Sequence, residues 1–271
     1  MRGTSAASLG EVLRTAQTRF SDPSTARVDV ADELFAIADA IDSSNQLVRL
    51  LSDAGREAAV KEATARSLFA DKVSPVALEV TLDVVRRPWS AQEDILDALE
   101  QVGVEAILDQ AGADGVLETV EEELFQFSRT ITGSGELAST LDDARTGSDR
   151  RTAIVSSLLN GRANDLTVVL ARRAVGRRTE VKSARRLQDF SQIAAARRQR
   201  LVAVVTSVRP LSEQQVTRLG AILAKVYGRE VQINLELSDD VVGGLRIQVG
   251  DDLFDATVLA RLAQARTRLA A

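Results

Sequence analysis

Apolar residues recur at helical spacing through the first two thirds of the chain. Leu34, Ile37, Ala38 and Ile41 share one face of a helix that "DSSN" at Asp42–Asn45 interrupts, and Leu47, Leu50 and Leu51 open the next. Val60, Ala63, Ala65 and Leu68 continue the period. "DKVSP" then predicts a helix with Ser74 as N-cap and Pro75 in its first position, closed by Pro88. A preceding helix is expected near Leu9–Phe20. The same plan then returns: "DELFAIADAIDSSNQLVRLLSDA" from Asp32 lies without a gap over "EELFQFSRTITGSGELASTLDDA" from Glu122, an offset of 90 residues. Glu33, Leu34, Phe35 and Ile41 meet Glu123, Leu124, Phe125 and Ile131, and further on Leu68 and Arg87 meet Leu158 and Arg177. An ungapped register over several helices predicts an internal duplication. In the second copy, "GSG" at Gly133–Gly135 and Asn164 fall where turns and caps are needed, and its preceding helix lies near Ala91–Ala111.

Beyond Leu201 the period changes. "LVAVVTSV" is β-branched and ends at Pro210; "LSEQQVTRLGAILAKVYG" opens with a capping box, Ser212 to Gln215, and ends at Gly228. "EVQINLEL" alternates, with Val231, Ile233, Leu235 and Leu237 expected inward, and Leu245, Ile247 and Val249 alternate again. A last helix is expected from Thr257 to Ala271. The fold class is therefore α+β. An N-terminal all-α helical bundle, duplicated as 1–88 and 89–178, is followed by a long basic connecting helix over 179–204. A small β-α-β-β-α C-terminal domain over 205–271 completes the chain.

The glycines of that domain invite comparison with a phosphate loop. Gly243, Gly244 and Gly250 do not match G-x-G-x-x-G, and no Lys-Ser/Thr follows them. They flank a strand instead of joining a strand to a helix start, where backbone amides would gather on a phosphate. Turn chemistry is the better account: the doublet turns the chain after Asp239–Asp240, and Gly250 serves a tight turn into Leu253–Phe254.

Composition narrows the chemistry further. The 271 residues contain no histidine and no cysteine, which removes the commonest general base, thiolate nucleophiles and His/Cys metal sites. Aromatics make up 3 %, so cores must be built from Leu, Val, Ile and Ala. The net charge of −5 argues against a dedicated nucleic-acid binder. The longest apolar run, Leu201–Val205, is far short of a membrane span, and the N-terminus lacks the apolar centre of a signal peptide. One stretch departs from the acidic average: ten basic residues from Arg172 to Arg200 face only Glu180 and Asp189. With Val181, Ala184, Leu187, Ile193 and Leu201 as an apolar stripe beneath, a solvated or protein-contacting helix face is favoured over a nucleic-acid or anionic-membrane patch.

The stretch "LSEQQVTRLGAILAKVYGREVQINLELSDDVVGGLRIQVGDDLFDATVLARLAQ" resembles the C-terminal region of the delta subunit of bacterial F-type ATP synthase, a family related to the mitochondrial oligomycin-sensitivity-conferring protein. The shared pattern is the capped helix from Ser212 to Gln215, the strand Val231 to Leu237, the acidic turn and Gly243 to Val249, Gly250–Asp251, Asp255 and Arg261–Leu262. "AILDQAGADGVLETVEEELFQF" is similar to the family's first two helices. The chain departs from the pattern in Ala256, where the family often has Gly, and in its duplicated bundle, which resembles the long delta subunits of actinobacteria.

The resemblance implies a non-catalytic stator subunit that links the alpha/beta head to the peripheral b-subunit stalk, so that proton flow is coupled to ATP synthesis. It implies a peripheral place at the cytoplasmic face of the plasma membrane, held there only through the complex, with one copy per complex, no cofactor and no nucleic-acid partner. It further implies that a groove of the bundle takes the alpha subunit's N-terminal helices and that the C-terminal domain takes the C-termini of the b subunits. Candidate groove walls are Leu9–Phe20 with Val76–Arg86, or Ile95–Ala111 with Leu166–Val175. The second pair is preferred because its copy matches the family more closely. No catalytic, cofactor-binding or metal residue is expected. The acidic pairs Glu121–Glu123, Asp142–Asp143 and Asp239–Asp240 are expected to be caps and solvated faces rather than a carboxylate site. A helical adaptor or nucleic-acid-binding protein using the Arg172–Arg200 face is the alternative, and a carboxylate-dependent enzyme a third.

Overall fold

A computed structural model of the chain describes residues 1, 3–22, 24–143, 145–177, 181–198, 201–227, 231–238, 244–249 and 252–255. It divides into two compact units, Met1–Ala195 and Ala196–Ala271. The first unit begins with α1 (Thr4–Phe20), α2 (Arg27–Asp42), α3 (Asn45–Ser52), α4 (Ala58–Phe69) and α5 (Pro75–Arg86). The second copy follows as α6 (Asp94–Ala113), α7 (Leu117–Gly133), α8 (Gly135–Asp142), α9 (Ser148–Leu159) and α10 (Asp165–Gly176). Both ends of α3, α4 and α5 recur 90 residues later in α8, α9 and α10, as the sequence register predicts.

The duplication extends to individual hydrogen bonds. Ser44 Oγ accepts from the Leu47 N–H at 3.4 Å to cap α3, and Ser134 Oγ accepts from the Leu137 N–H at 3.3 Å to cap α8. The Ser74 N–H, at the start of α5, donates to Glu33 Oε1 at 3.0 Å; the Asn164 N–H, at the start of α10, donates to Glu123 Oε2 at 2.9 Å. Lys61 and Arg151, both buried, donate to backbone carbonyls at the ends of α5 and α10, those of Arg87 and Gly176. These carbonyls are left over where a helix stops, and a buried cation satisfies them.

The two copies are not separately cored. One apolar cluster runs from Val12 through Leu34, Leu82, Leu99, Leu124 and Leu170 to Ala194. The 90-residue period explains how. α6 stands where α1 stands in the first copy, and α11 (Ser183–Arg198) follows α6 at the same distance, so α6 serves both copies. It is buried on nearly every side, with Ile95, Leu99, Val102, Ile107 and Leu108 fully inaccessible. The basic helix expected over 179–204 is α11, ending at Arg198, and the chain enters a strand at Leu201.

The second unit is β1 (Leu201–Ser207), α12 (Glu213–Tyr227), β2 (Val231–Leu237), β3 (Leu245–Val249) and β4 (Asp252–Asp255), with sheet order β2-β1-β3-β4. β1 and β2 are parallel, joined through α12, as a crossover requires. β3 runs antiparallel to β1, and β4 runs antiparallel to β3 with Val249 paired to Asp252. The capping box is formed: Ser212 Oγ accepts from the Gln215 N–H at 3.3 Å, and the Ser212 N–H donates to Gln215 Oε1 at 2.8 Å. Gly244, at the entry to β3, has φ +89°, a conformation that favours glycine and fits its expected turn role.

Two expectations for this unit need correction. β4 was not anticipated. Leu235 and Leu237, expected inward, are exposed at 39 % and 62 %, whereas Val231 is buried. β2 is an edge strand, and α12 packs with Leu219 and Leu223 over its Val231–Ile233 end. The final helix expected over Thr257–Ala271, and the turn glycines Gly243 and Gly250, lie outside the described residues.

Candidate partner-binding seam

Within the first unit, α2 packs along α6 and meets α10 through Arg173. The Phe35 ring packs on Gly103, where a Cβ would meet its Cε1 at 2.4 Å; glycine is what lets the two helices approach. On the other side the Arg173 guanidinium covers the same ring at 4.7 Å from its centroid. Arg173 Nη1 also donates to both Asp39 oxygens at 2.8 Å, and Arg27 pairs with Asp109 at 2.7 Å, so polar contacts fix α2 along both neighbours.

Behind this contact sits Glu100, buried on α6. Its carboxylate accepts from Arg173 Nε at 2.8 Å and Arg177 Nη1 at 2.7 Å, and it pairs with Arg186 Nη2. Arg177 reaches Asp97 as well at 2.8 Å, and Arg186 Nη1 donates to the Ala174 carbonyl at 3.0 Å. Burial alone would push the Glu100 carboxyl up. The charges of Arg186, Arg177 and Arg173 outweigh it and hold the group below its ordinary value. Three arginines of the basic stretch are thus interior ligands of one carboxylate, each with a side chain no more than 7 % exposed. The expectation of one solvated basic face over Arg172–Arg200 is corrected on that ground. The stretch is also not a single helix, since α10 ends at Gly176 and α11 begins at Ser183.

The same geometry weighs against the preference for the second-copy groove. Its α6 wall, Ile95–Ala111, is covered by α2, with Leu99, Ile107 and Leu108 inaccessible, while Leu166 and Val169 on the α10 wall, Leu166–Val175, stay half-buried. The equivalent seam of the first copy, between α1 and α5, differs. Leu9, Leu13 and Gln17, which stand 90 residues before Leu99, Gly103 and Ile107, each remain half-buried; across from them Val76 and Glu79 are half-buried like their counterparts Leu166 and Val169. Ion pairs edge this seam, Glu11 with Arg14 at 2.8 Å and Asp83 with Arg87 at 3.1 Å. Arg14 holds the Glu11 carboxyl below its usual value. What the seam offers is two leucines at i, i+4 spacing followed by Gln17, between charged rims, a form that can receive an amphipathic helix.

Of the acidic pairs, Glu123, Asp142 and Asp143 accept from backbone N–H groups at helix starts and a turn. Glu123 takes the Asn164 N–H and the Thr167 hydroxyl, the latter at 2.5 Å. Asp142 accepts from the Ser183 N–H at 2.8 Å and Asp143 from the Arg145 N–H at 2.9 Å. Asp239–Asp240 lies outside the described residues. Among the described residues no three carboxylates gather as a metal site would need, and no helix is long and apolar enough to cross a membrane. The Glu100 cluster was missed from the sequence. The packing of α2 on α6 was missed too, although the glycine at 103, amid the apolar residues of α6, was a readable hint.

Comparison with known proteins finds relatives along the whole chain. The chain is 40 % identical to the ATP synthase subunit delta of Beutenbergia cavernae over all of both chains. It is 37 % identical to that of Kineococcus radiotolerans, over 99 % of this chain and 97 % of the relative. It is 38 % identical to that of Thermobifida fusca, again over the whole of both. A chain of the Toxoplasma gondii mitochondrial ATP synthase hexamer superposes with a TM-score of only 0.27 at 20 % identity, covering 62 % of this chain and 95 % of that one. The sequence profile of the ATP synthase delta (OSCP) subunit family matches residues 104–269, from the shared helix α6 onward. With that match and relatives aligned from end to end, the chain belongs to the ATP synthase delta (OSCP) subunit family.

Proposed function

We propose that the chain is a non-catalytic stator part of an F-type ATP synthase, tying the top of the alpha/beta head to the peripheral b-subunit stalk. The observation that carries this reading is the contrast between the two seams. One has its α6 wall covered by α2, and its counterpart between α1 and α5 keeps Leu9, Leu13 and Gln17 partly uncovered. In this reading an N-terminal helix of an alpha subunit lies in the α1–α5 seam as α2 lies along α6. The second unit takes the C-termini of the b subunits. A static tie needs a stiff body and two separate contacts, and it needs no ionisable catalytic group; a bundle with one continuous core suits that task. The chain would then sit at the cytoplasmic face of the plasma membrane, held by its partners.

The test is photo-cross-linking in the assembled complex with p-benzoylphenylalanine at Leu13. A cross-link to the N-terminal segment of an alpha subunit is expected. A cross-link only to other subunits, or none, contradicts the placement.

A further inference from the structure

The duplication leaves a second mismatch, on the opposite side of the second copy. Phe35 of α2 is 6 % exposed, under Gly103 and Arg173; its counterpart Phe125 of α7 is 38 % exposed. Here α7 and α11 stand apart, and a cleft of about 540 Å³ opens between them. Phe125, Ser128 and Thr132 form one wall, Ala184 and Gln188 the other. Three cations line it: Arg129, Lys182 and Arg185. Arg129 has no carboxylate partner among the described residues, Lys182 reaches Asp142 only at 3.9 Å, and Arg185 shares Asp189 at 3.0 Å while 59 % exposed.

We infer that this α7–α11 cleft is a docking site for an acidic amphipathic helix of a neighbouring subunit, distinct from the α1–α5 seam. Two observations select that occupant. In the first copy, the equivalent aromatic is covered by α6, a helix with five carboxylates, Asp94, Asp97, Glu100, Glu105 and Asp109, and no Lys or Arg. That helix meets the ring through a glycine and directs Glu100 to an arginine. In the second copy α11, the counterpart of α6, leaves the ring 38 % exposed and the lips are cationic, so charge and shape ask for a further helix with small residues over Phe125 and carboxylates toward Arg129 and Arg185. Phe125 is the aromatic anchor, and the exposed cations supply orientation and salt sensitivity.

The inference rests on the chain working inside an ATP synthase complex, and its test reports separately from the Leu13 probe. p-Benzoylphenylalanine replaces Phe125 in the assembled complex, and cross-linked peptides are mapped with and without Arg129→Glu and Arg185→Glu. The expected result is a cross-link to an acidic helical segment of another subunit, reduced about fivefold or more by the paired charge reversals and by high salt, with the Leu13 cross-link unchanged. A cross-link confined to residues 196–271 of the same chain overturns the inference. So does one to a segment without the acidic amphipathic pattern, a yield indifferent to charge reversal, or no cross-link at all.

Discussion

Arg173 lies across the ring of Phe35, its guanidinium 4.7 Å from the ring centroid, a second-copy side chain closing over a first-copy aromatic. The same guanidinium donates to Glu100 behind it. The contact between copies is therefore also the lid of the buried charge cluster. Removing the carboxylate with Glu100→Gln leaves three guanidinium groups packed around a neutral amide. A loss of about 3–5 kcal/mol is expected, because an uncompensated buried charge costs more than the pair contributes. Urea unfolding of the variant against the parent chain measures it.

The same carboxyl makes stability depend on acid. Its folded value is depressed by the three arginines, so its contribution is fully present above the unfolded carboxylate value, about 4.3, and is lost as pH falls through the lower folded value. Melting temperature recorded from pH 7 to pH 3 should fall on the acid side in the parent chain. In Glu100→Gln the curve should start lower and fall less steeply over that range.

Gly103 tests the closeness of α2 and α6. Alanine is the better helix former by roughly 1 kcal/mol, yet its Cβ would meet the Phe35 ring at 2.4 Å with Arg173 behind it. Overpacking of this kind costs about 1–3 kcal/mol. Gly103→Ala should therefore destabilise in spite of propensity, and Phe35→Leu in the same chain should return part of the loss. A stabilised Gly103→Ala chain would mean that the helices are not held this tightly.

Much of this architecture was legible in the sequence, because helix periods, caps and the 90-residue register are local or translational signals. Ser74, Asn164 and Ser212 could be placed as caps from their neighbours alone. The Glu100 cluster could not: its ligands Arg173 and Arg186 are 73 and 86 residues away, and a run of arginines in sequence carries no sign of which will turn inward. The choice of groove turns on the same kind of information. Family likeness pointed to the second copy, but which seam stays open depends on where α2 comes to rest, a matter of tertiary packing. β4 was hidden by its length, four residues with an aspartate at each end.

The two seams should respond in opposite ways to a charge. Leu13→Asp falls on a half-buried position and should leave melting nearly unchanged. It should also weaken capture of the alpha subunit's N-terminal peptide at least about tenfold, as loss of an interface anchor does. Leu108→Asp puts a charge into a fully buried site and should prevent stable folding. Circular dichroism and peptide anisotropy on the two variants separate these outcomes.

The stator role is tested most directly by removing the second unit, Leu201–Ala271, and reconstituting the truncated chain with the remaining subunits in proteoliposomes. The first unit carries its own continuous core and the α1–α5 seam, so it should stay folded and bind the head. ATP-driven proton pumping is the measurement. The account predicts ATP hydrolysis by the head without pumping; pumping restored to the level of the full-length chain would contradict it.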